Sequence, residues 1–424
     1  MRSLWRLFWL EFLSLIRSRT LLFLILGTLA WMFIAPHILV GDGTPEGARQ
    51  MLIRYSLGGV TTILSIALLA SATGSIAHER TSKRLQLTLV RPVHFTFIAL
   101  GRIAALALTA ALILALAALI LLAREYPSNR PCRHVLSPIL PSPRAEAEDM
   151  YQSYMQSPDT PDAVKKAKRD VVLRLLERRA IDHYQTIPTN STAAWTFKLN
   201  NEQLTAKTAA PSIRLRFSNT YNTRDDVSGI LTFNHFSGHF NNITQAILEV
   251  PLSPTTNDAT TNTLTFFNNG HSAVMLRPRA DVQVLIPADS FAANLLRAYL
   301  ELFGLLTLLI SFGIFLGAGL GRAPALFTAL VVLLVSEISP SVIEQYPDEL
   351  ETKRVDRIGL TITRLAADAT HPLSSLSPLQ HLTADECIET DELARASAMN
   401  IVILPLLFAL LSALVMPRKE ESNA

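Results

Sequence analysis

Charge is scarce in this chain. Only 17% of its 424 residues are Asp, Glu, Lys or Arg, against about 25% in ordinary soluble proteins. The two signs nearly cancel, 38 basic against 35 acidic with a net charge of +3. So small an excess gives no electrostatic grip on nucleic acid, and no aromatic-basic patch or zinc spacing supplies one. No phosphate-binding loop of the Gly-x-x-x-x-Gly-Lys-Ser/Thr type is present. His78-Glu79 lacks a second His at the spacing of a zinc-protease helix, and His271-Ser272 lacks the Gly-x-Ser-x-Gly elbow. His235 and His239 flank Ser237-Gly238 in a strand-rich stretch, where a turn is expected rather than a shared metal. The residues thus show no catalytic constellation, no metal site and no energy-coupling motif. If the chain moves something, a partner supplies the energy.

What is abundant is apolar sequence, 49% of the residues. It is concentrated in runs of about 20, the length that crosses a hydrocarbon core of about 30 Å. The first run is longer than a cleaved signal peptide and no Ala-x-Ala-like site follows it. Six spans are expected, at 20–40, 55–77, 98–122, 300–320, 323–340 and 398–416, with only Gly321-Arg322 between the fourth and fifth. Basic residues near span ends set orientation. Arg2, Arg6, Arg17 and Arg19 precede span one, Arg80, Lys83, Arg84 and Arg91 lie between two and three, Arg322 between four and five, and Arg418-Lys419 after six. These segments share one side if both termini are cytoplasmic. The first outside loop carries Arg49 and Arg54, partly offset by Asp42 and Glu46. The long outside segments translocate regardless of charge.

The segment before span one, residues 1–19, is amphipathic. At 100° per residue Leu4, Trp5, Phe8, Trp9, Phe12, Leu15 and Ile16 share a face opposite Arg2, Arg6 and Arg17, the pattern of a helix lying in the membrane interface. Arg17 and Arg19 argue against its being an extension of span one. Residues 123–295 form a large outside insert. Its start, "YPSNRPCRHVLSPILPSP", is Pro-rich and expected to be irregular. A helix is expected from Thr160-Pro161-Asp162. After Pro188, six short runs separated by Asn, Asp, Thr and Gly clusters read as strands of a small β-sandwich. They are "AWTFKL", "SIRLRFS", "GILTF", "QAILEVPL", "TLTFF" and "ADVQVLIP". The expected fold class is therefore an α-helical polytopic membrane protein with an N-terminal amphipathic helix. An α+β, sandwich-like extracytoplasmic insert separates spans three and four.

The remaining blocks are 20–122 (spans one to three, with a cytoplasmic loop at 78–97), the 296–340 hairpin, a second outside segment at 341–397, and 398–424. Cys132 and Cys387 fall outside, one in each outside segment. In an oxidising compartment they either pair, tying the insert to the last loop, or stand as two free thiols. Glu301 opens span four and Glu337 lies near the outer end of span five, where side chains reach the interface. Arg102, near the inner end of span three, is placed to snorkel to cytoplasmic headgroups.

One stretch stands out between spans two and three: "IAHERTSKRLQLTLVRPVHFTFIALGRIAAL". Set on a helix, Arg80, Arg84, Leu87 and Arg91 line one face, and Pro92 stops the helix near Val90. A basic-apolar helix of this kind can lodge in a groove of a cytosolic partner or serve only as a topology anchor. The stretch resembles the cytoplasmic loop of ABC-2 type transporter permeases. In them a Glu after span two (here Glu79) is followed by a Thr- and Leu-rich helix (Thr88, Leu89). An Arg-Pro-Val-like turn (Arg91, Pro92, Val93) and a Gly-Arg pair (Gly101, Arg102) come next. The amphipathic segment resembles the family's elbow helix. The end, "LSSLSPLQHLTADECI", a last span and "MPRKE", is similar to the family's C-terminus. The long insert departs from its short-loop members.

The resemblance implies a permease subunit in the bacterial cytoplasmic membrane, an exporter by preference. It would bind a separate ABC ATPase, which holds the ATP, through Glu79, Arg80, Arg84, Thr88, Arg91 and Pro92. It would pair with a second permease, the same or related, among membrane lipids. The other reading from the residues is a membrane-anchored binding or mechanotransmission protein whose insert engages an envelope partner.

Overall fold

A computed structural model describes all residues except 1, 39–44, 82–93, 126–129, 141, 158–167, 199–210, 220–224, 234–235, 245–246, 253–260, 346–377 and 422–424. In chain order the helices are α1 (Arg2–Ile16), α2 (Arg19–Ile38), α3 (Pro45–Thr81) and α4 (Phe95–Glu125). The strand β1 (Pro131–Leu136) and helices α5 (Pro143–Gln156) and α6 (Arg169–Gln185) follow. Next come β2 (Thr186–Ile187), β3 (Thr192–Lys198), β4 (Ser212–Arg216), β5 (Asp226–Phe233), β6 (Phe236–Ile243), β7 (Ile247–Pro251), β8 (Thr261–Asn268), β9 (Val274–Met275), the short α7 (Pro278–Asp281) and β10 (Val282–Ser290). The chain closes with α8 (Phe291–Gly319), α9 (Arg322–Gln345), α10 (Pro378–Thr383) and α11 (Thr390–Ser397). α11 runs through a π-helical turn, Ala398–Ile403, into α12 (Leu404–Glu421). Two compact units result: residues Met1–Cys132 with Asp289–Ala424, and residues Arg133–Ala288.

The first unit is helical. Five of its helices are long and apolar enough to cross a membrane: Leu21–Ile38, Gly47–Ile76, Phe95–Glu125, Phe291–Gly319 and Thr390–Met416. The span expected at 323–340 falls on α9, whose described apolar part, Arg322–Val335, is shorter. Only Leu320 and Gly321 separate α8 from α9. The helices of spans two, three, four and six begin earlier than the apolar runs suggested. In α3 and α8 the polar residues Arg49 and Asn294 find partners, so these two helices extend past the apolar sequence.

α8 is the most enclosed of the five and α2 the least. α8 packs closely on α3 because of Gly313-x-x-x-Gly317. A β-carbon at Gly317 would sit 2.6 Å from the Thr73 carbonyl oxygen, and one at Gly313 3.0 Å from the Ala72 methyl. Small residues four apart let two backbones approach where no water-driven force presses them together. α2 docks on α3 in a similar way: the Trp31 indole fills the space over Gly59 and donates to the Tyr55 carbonyl at 3.0 Å.

Contacts within this unit fix which helix ends adjoin. Arg49 in the first turns of α3 meets Glu125, the last residue of α4, and lies 5.5 Å above the ring of Phe291, the first residue of α8. At the opposite end, Arg322 of α9 covers Gly74 of α3, and Val415 of α12 abuts Gly319 of α8. Glu11 of α1 comes within 4.0 Å of Arg102 in the second turn of α4. Arg102 is therefore buried, not extended toward headgroups, because α1 lies against the start of α4 and covers it.

The second unit is β-rich. Two four-stranded sheets, ordered β1-β10-β4-β7 and β3-β8-β5-β6, share one apolar core, with a separate pair β2-β9. Ile213, Leu215, Val282 and Val284 enter from the first sheet, and Trp195, Phe197, Leu231, Leu264 and Phe266 from the second. β5 alternates buried and half-buried residues along its length, as a strand with one face on the core does. Gly229 has no side chain because the Phe266 ring occupies its place.

All six expected strands are present. Two expectations for this region change. The Pro-rich start contains β1, whose prolines lie at its first residue and beyond its end. Ser237-Gly238 lie within β6, not in a turn, for Phe233 already pairs with Phe236 and Leu231 with Gly238. The helix expected from Thr160 is described from Arg169 onward.

Candidate functional site

A polar assembly of the helical unit gathers where α3, α8 and α11 begin and α4 ends. Its centre is Arg49. The guanidinium Nε donates to Glu125 Oε2 at 2.5 Å, and Nη1 donates to Asp385 Oδ1 and Oδ2 at 3.0 and 2.9 Å. All three side chains are largely enclosed. Such an arrangement is costly to break from one side, since removing the cation strands two carboxylates away from water.

Asp385 is held for this task by its backbone. Its φ is +56°, a left-handed conformation that usually goes to glycine after a helix. Glu386 N–H donates to His381 O at 2.8 Å and Asp385 N–H to Leu382 O at 3.4 Å, the paired bonds of a Schellman turn closing α10. Asp tolerates this conformation better than most residues, and here its carboxylate is what Arg49 binds.

The next three residues are each tied down as well. Asn294 of α8 donates to Glu386 O at 2.7 Å and accepts from Ile388 N–H at 3.0 Å. Between them Cys387 is disulfide-bonded to Cys132, with a Cα–Cα distance of 5.2 Å across 255 residues of sequence. Of the two alternatives for the cysteines, pairing is the one in the structure. Residues 385–388 are thus joined to α3, α8 and the segment after α4. Beside them, Glu386 Oε2 accepts from His381 Nδ1 at 3.3 Å. That hydrogen bond, opposed by partial burial and reinforced by the Glu386 charge, holds the imidazole pKa above its usual value.

The residues expected to meet a partner ATPase lie at the other end of α3. Glu79 and Arg80 fall in its last turn. Arg84, Thr88, Arg91 and Pro92 lie outside the described residues, as does the side chain of Glu337. His239 is on β6 opposite Ile230, and His235 is outside the described residues. No group of three His, Cys, Asp or Glu suited to a metal occurs among the described residues.

α1 presents Trp5, Trp9 and Leu10 to the outside, 64%, 47% and 65% exposed, while Leu15 packs into the helical core. Trp5, Phe8, Trp9 and Phe12 stack along one side. An exposed aromatic row on a helix of this length suits an interfacial site.

Glu301 departs from expectation. It lies ten residues inside α8, roughly 15 Å along the axis, and is 8% exposed. The apolar run begins at Tyr299-Leu300, so sequence placed the helix start about two and a half turns too late. Sequence reading also missed Asn294 and gave Arg49 only to the charge balance of a loop. The signal for both was present: a charged or amide residue one turn inside a helix that borders an apolar run.

Compared with known proteins, the chain matches no family model, no curated protein and no solved structure.

Proposed function

We propose that the chain is the membrane subunit of an ABC-2-type transporter, an export permease that takes its energy from a separate ATP-binding subunit. The observation that carries this reading is the arrangement of helix ends. α1, the end of α3 that leads into the loop at 78–97, the start of α4 and the end of α12 adjoin one another, and the disulfide lies at the other ends of α3, α4 and α8. The basic segments then face the cytoplasm, and the disulfide faces an oxidising compartment.

In this reading closure of the ATPase pair pushes on the loop through Glu79, Arg80, Arg84, Thr88, Arg91 and Pro92. α1 rides with α4 through the Glu11–Arg102 contact, and α3 moves with α8 through Gly313 and Gly317. Arg49, Asn294 and the disulfide pin α3, α4, α8 and the start of α11 at the outer end. A bundle pinned there pivots as a lever, so the path opens against a second permease subunit, the same or related. The cargo is unassigned.

The experiment is co-purification with an ABC ATPase and measurement of its ATP turnover. The permease raises turnover, and Glu79→Lys and Arg84→Glu abolish that rise while membrane insertion is retained. Wild-type stimulation in both variants overturns the docking role of the loop. The second reading, mechanotransmission to an envelope partner, is favoured by the β-rich unit Arg133–Ala288, which has an apolar core of its own. It predicts ATPase stimulation without substrate movement in vesicles.

A further inference from the structure

An open sheet needs something to stop its edge strands from pairing with the next molecule. The edges of the two four-stranded sheets are β1 and β7 in one, and β3 and β6 in the other. Three of them are guarded. β1 starts with Pro131 and carries Arg133, and β7 carries Glu249 and ends on Pro251. β3 ends on Lys198, and Ile139 N–H donates to its Thr196 O at 2.8 Å, so part of its outer side is already taken. β6, "FSGHFNNI", has no proline and no Asp, Glu, Lys or Arg. Among the described residues it pairs with β5 and with no other strand.

Two bonds fix which of its backbone groups are unused. Thr244 N–H donates to Asp225 O at 2.9 Å where the β5–β6 ladder ends, and Asn269 N–H donates to Ser228 O at 3.1 Å on the β8 side. Along an antiparallel pair, residues alternate between bonding the partner and pointing away from it. The odd-numbered residues of β5 therefore bond β6, and the even-numbered residues of β6 bond β5. The N–H and C=O groups of Ser237, His239, Asn241 and Ile243 point away from the sheet. These four lie symmetrically about Phe240. The Phe240 ring closes one margin of the insert core, 5.7 Å from Phe217 and 5.5 Å from Phe266, and is only half-buried there.

We propose that β6 pairs antiparallel with β6 of a second copy of this chain, about a two-fold axis at Phe240. Ser237 then lies opposite Ile243 of the second copy, His239 opposite its Asn241, and Phe240 opposite its own counterpart. Each outward N–H and C=O finds a partner. No like charges of acids or bases are set opposite each other, since the strand holds none. The cross-strand aromatic pair covers the half-exposed ring. A two-fold contact must be self-complementary, and an uncharged edge symmetric about its middle residue is so. Two copies held in one bilayer by their long helices meet at high effective concentration, so a short edge suffices. The contact does not rest on the permease reading.

The test is disulfide trapping of the full chain in its membrane. His239→Cys and Asn241→Cys chains with different tags are co-expressed and oxidised with copper phenanthroline. Opposed residues of a hydrogen-bonded pair have Cα atoms about 5.5 Å apart, within the roughly 4.4–6.8 Å of a disulfide. A dimer carrying both tags is expected. Either chain alone should give about tenfold less, because its two cysteines lie on the diagonal and are too far apart to bridge. A Ser237→Cys chain with an Ile243→Cys chain should trap as well. Adding Asn241→Pro to that second pair removes an N–H that β5 does not use, so the sheet is kept. Trapping should then fall about tenfold, the loss of one hydrogen bond from each copy, while the amides of β5 stay protected from exchange. No dimer from either cysteine pair in inserted chains overturns the proposal. So does undiminished trapping in a folded Asn241→Pro chain, or a disulfide to a different polypeptide with none between copies.

Discussion

The two units expose different residues. In the helical unit, large apolar side chains form continuous outer faces: Leu22, Phe23, Leu26 and Phe33 on α2, Phe327, Val331 and Leu334 on α9, and Leu406, Leu407, Leu410 and Leu414 on α12. In the insert such residues are scattered, among them Ile139, Leu175, Ile243 and Ile247. The interiors differ too. The insert is filled by aromatics, with Phe217, Phe240 and Phe266 in mutual ring contact at 5.0–5.7 Å. The bundle is joined by glycine-mediated contacts and by the polar assembly around Arg49. Where the surroundings are as apolar as the core, burial alone does not hold helices together, so close backbone contact and polar ties take over. Where the surroundings are water, an aromatic core suffices.

The largest effect that would break this comparison is Phe266→Ala, expected to cost the insert about 3–5 kcal/mol. Hydrogen exchange should rise in β3, β5 and β8 and stay unchanged in α3, α4 and α8. A bundle that loosens as well contradicts the independence of the two cores. The mirror experiment is Arg49→Met, which leaves Glu125 and Asp385 enclosed without their cation. It should cost the bundle about 3 kcal/mol, seen as a lower unfolding temperature in detergent, with the β strands protected as before.

Gly317→Ala sharpens the role of close packing. Its new methyl has nowhere to go but against Thr73 O, and a loss of about 1–3 kcal/mol in bundle stability is expected. Asp385→Gly should be milder than Asp385→Asn plus a lost turn would suggest, because glycine keeps the left-handed backbone while removing only the carboxylate.

The smallest effect is a pH dependence confined to the insert. Burial alone would raise the Glu249 pKa, but the hydrogen bonds and charges of Arg133 and Arg214 outweigh it and hold the pKa below the usual range. Those bonds span 2.8 and 3.0 Å. A depressed folded-state pKa gives stability that is complete above the unfolded value of about 4.3 and is lost as pH falls through the folded value. Acid should therefore raise exchange in β4 and β7, and Glu249→Gln should remove that response. An acid response that persists in the variant assigns it elsewhere.

What could be read in the sequence follows from the same contrast. Strands with one wet face announce themselves by alternation, and six were legible. β6, "FSGHFNNI", was not, because its exposed face carries Ser and His and its glycine suggested a turn. Apolar runs located the long helices but not their ends. Arg49, Asn294 and Glu301 interrupt hydropathy while continuing the helix, and for Arg49 and Asn294 only partners 76 to 336 positions away explain why they are tolerated. The pairing of Cys132 with Cys387 was one of two open alternatives, since sequence carries no distance.

The proposed permease reading requires that the loop of 78–97 be cytoplasmic and that the insert not be. Single cysteines at Arg84 and at Ser237, an exposed position of β6, can be treated with a membrane-impermeant maleimide on intact cells. The account predicts that the Ser237→Cys chain labels at once and the Arg84→Cys chain only after the membrane is opened. Labelling of Arg84→Cys in intact cells, with Ser237→Cys protected, would contradict it.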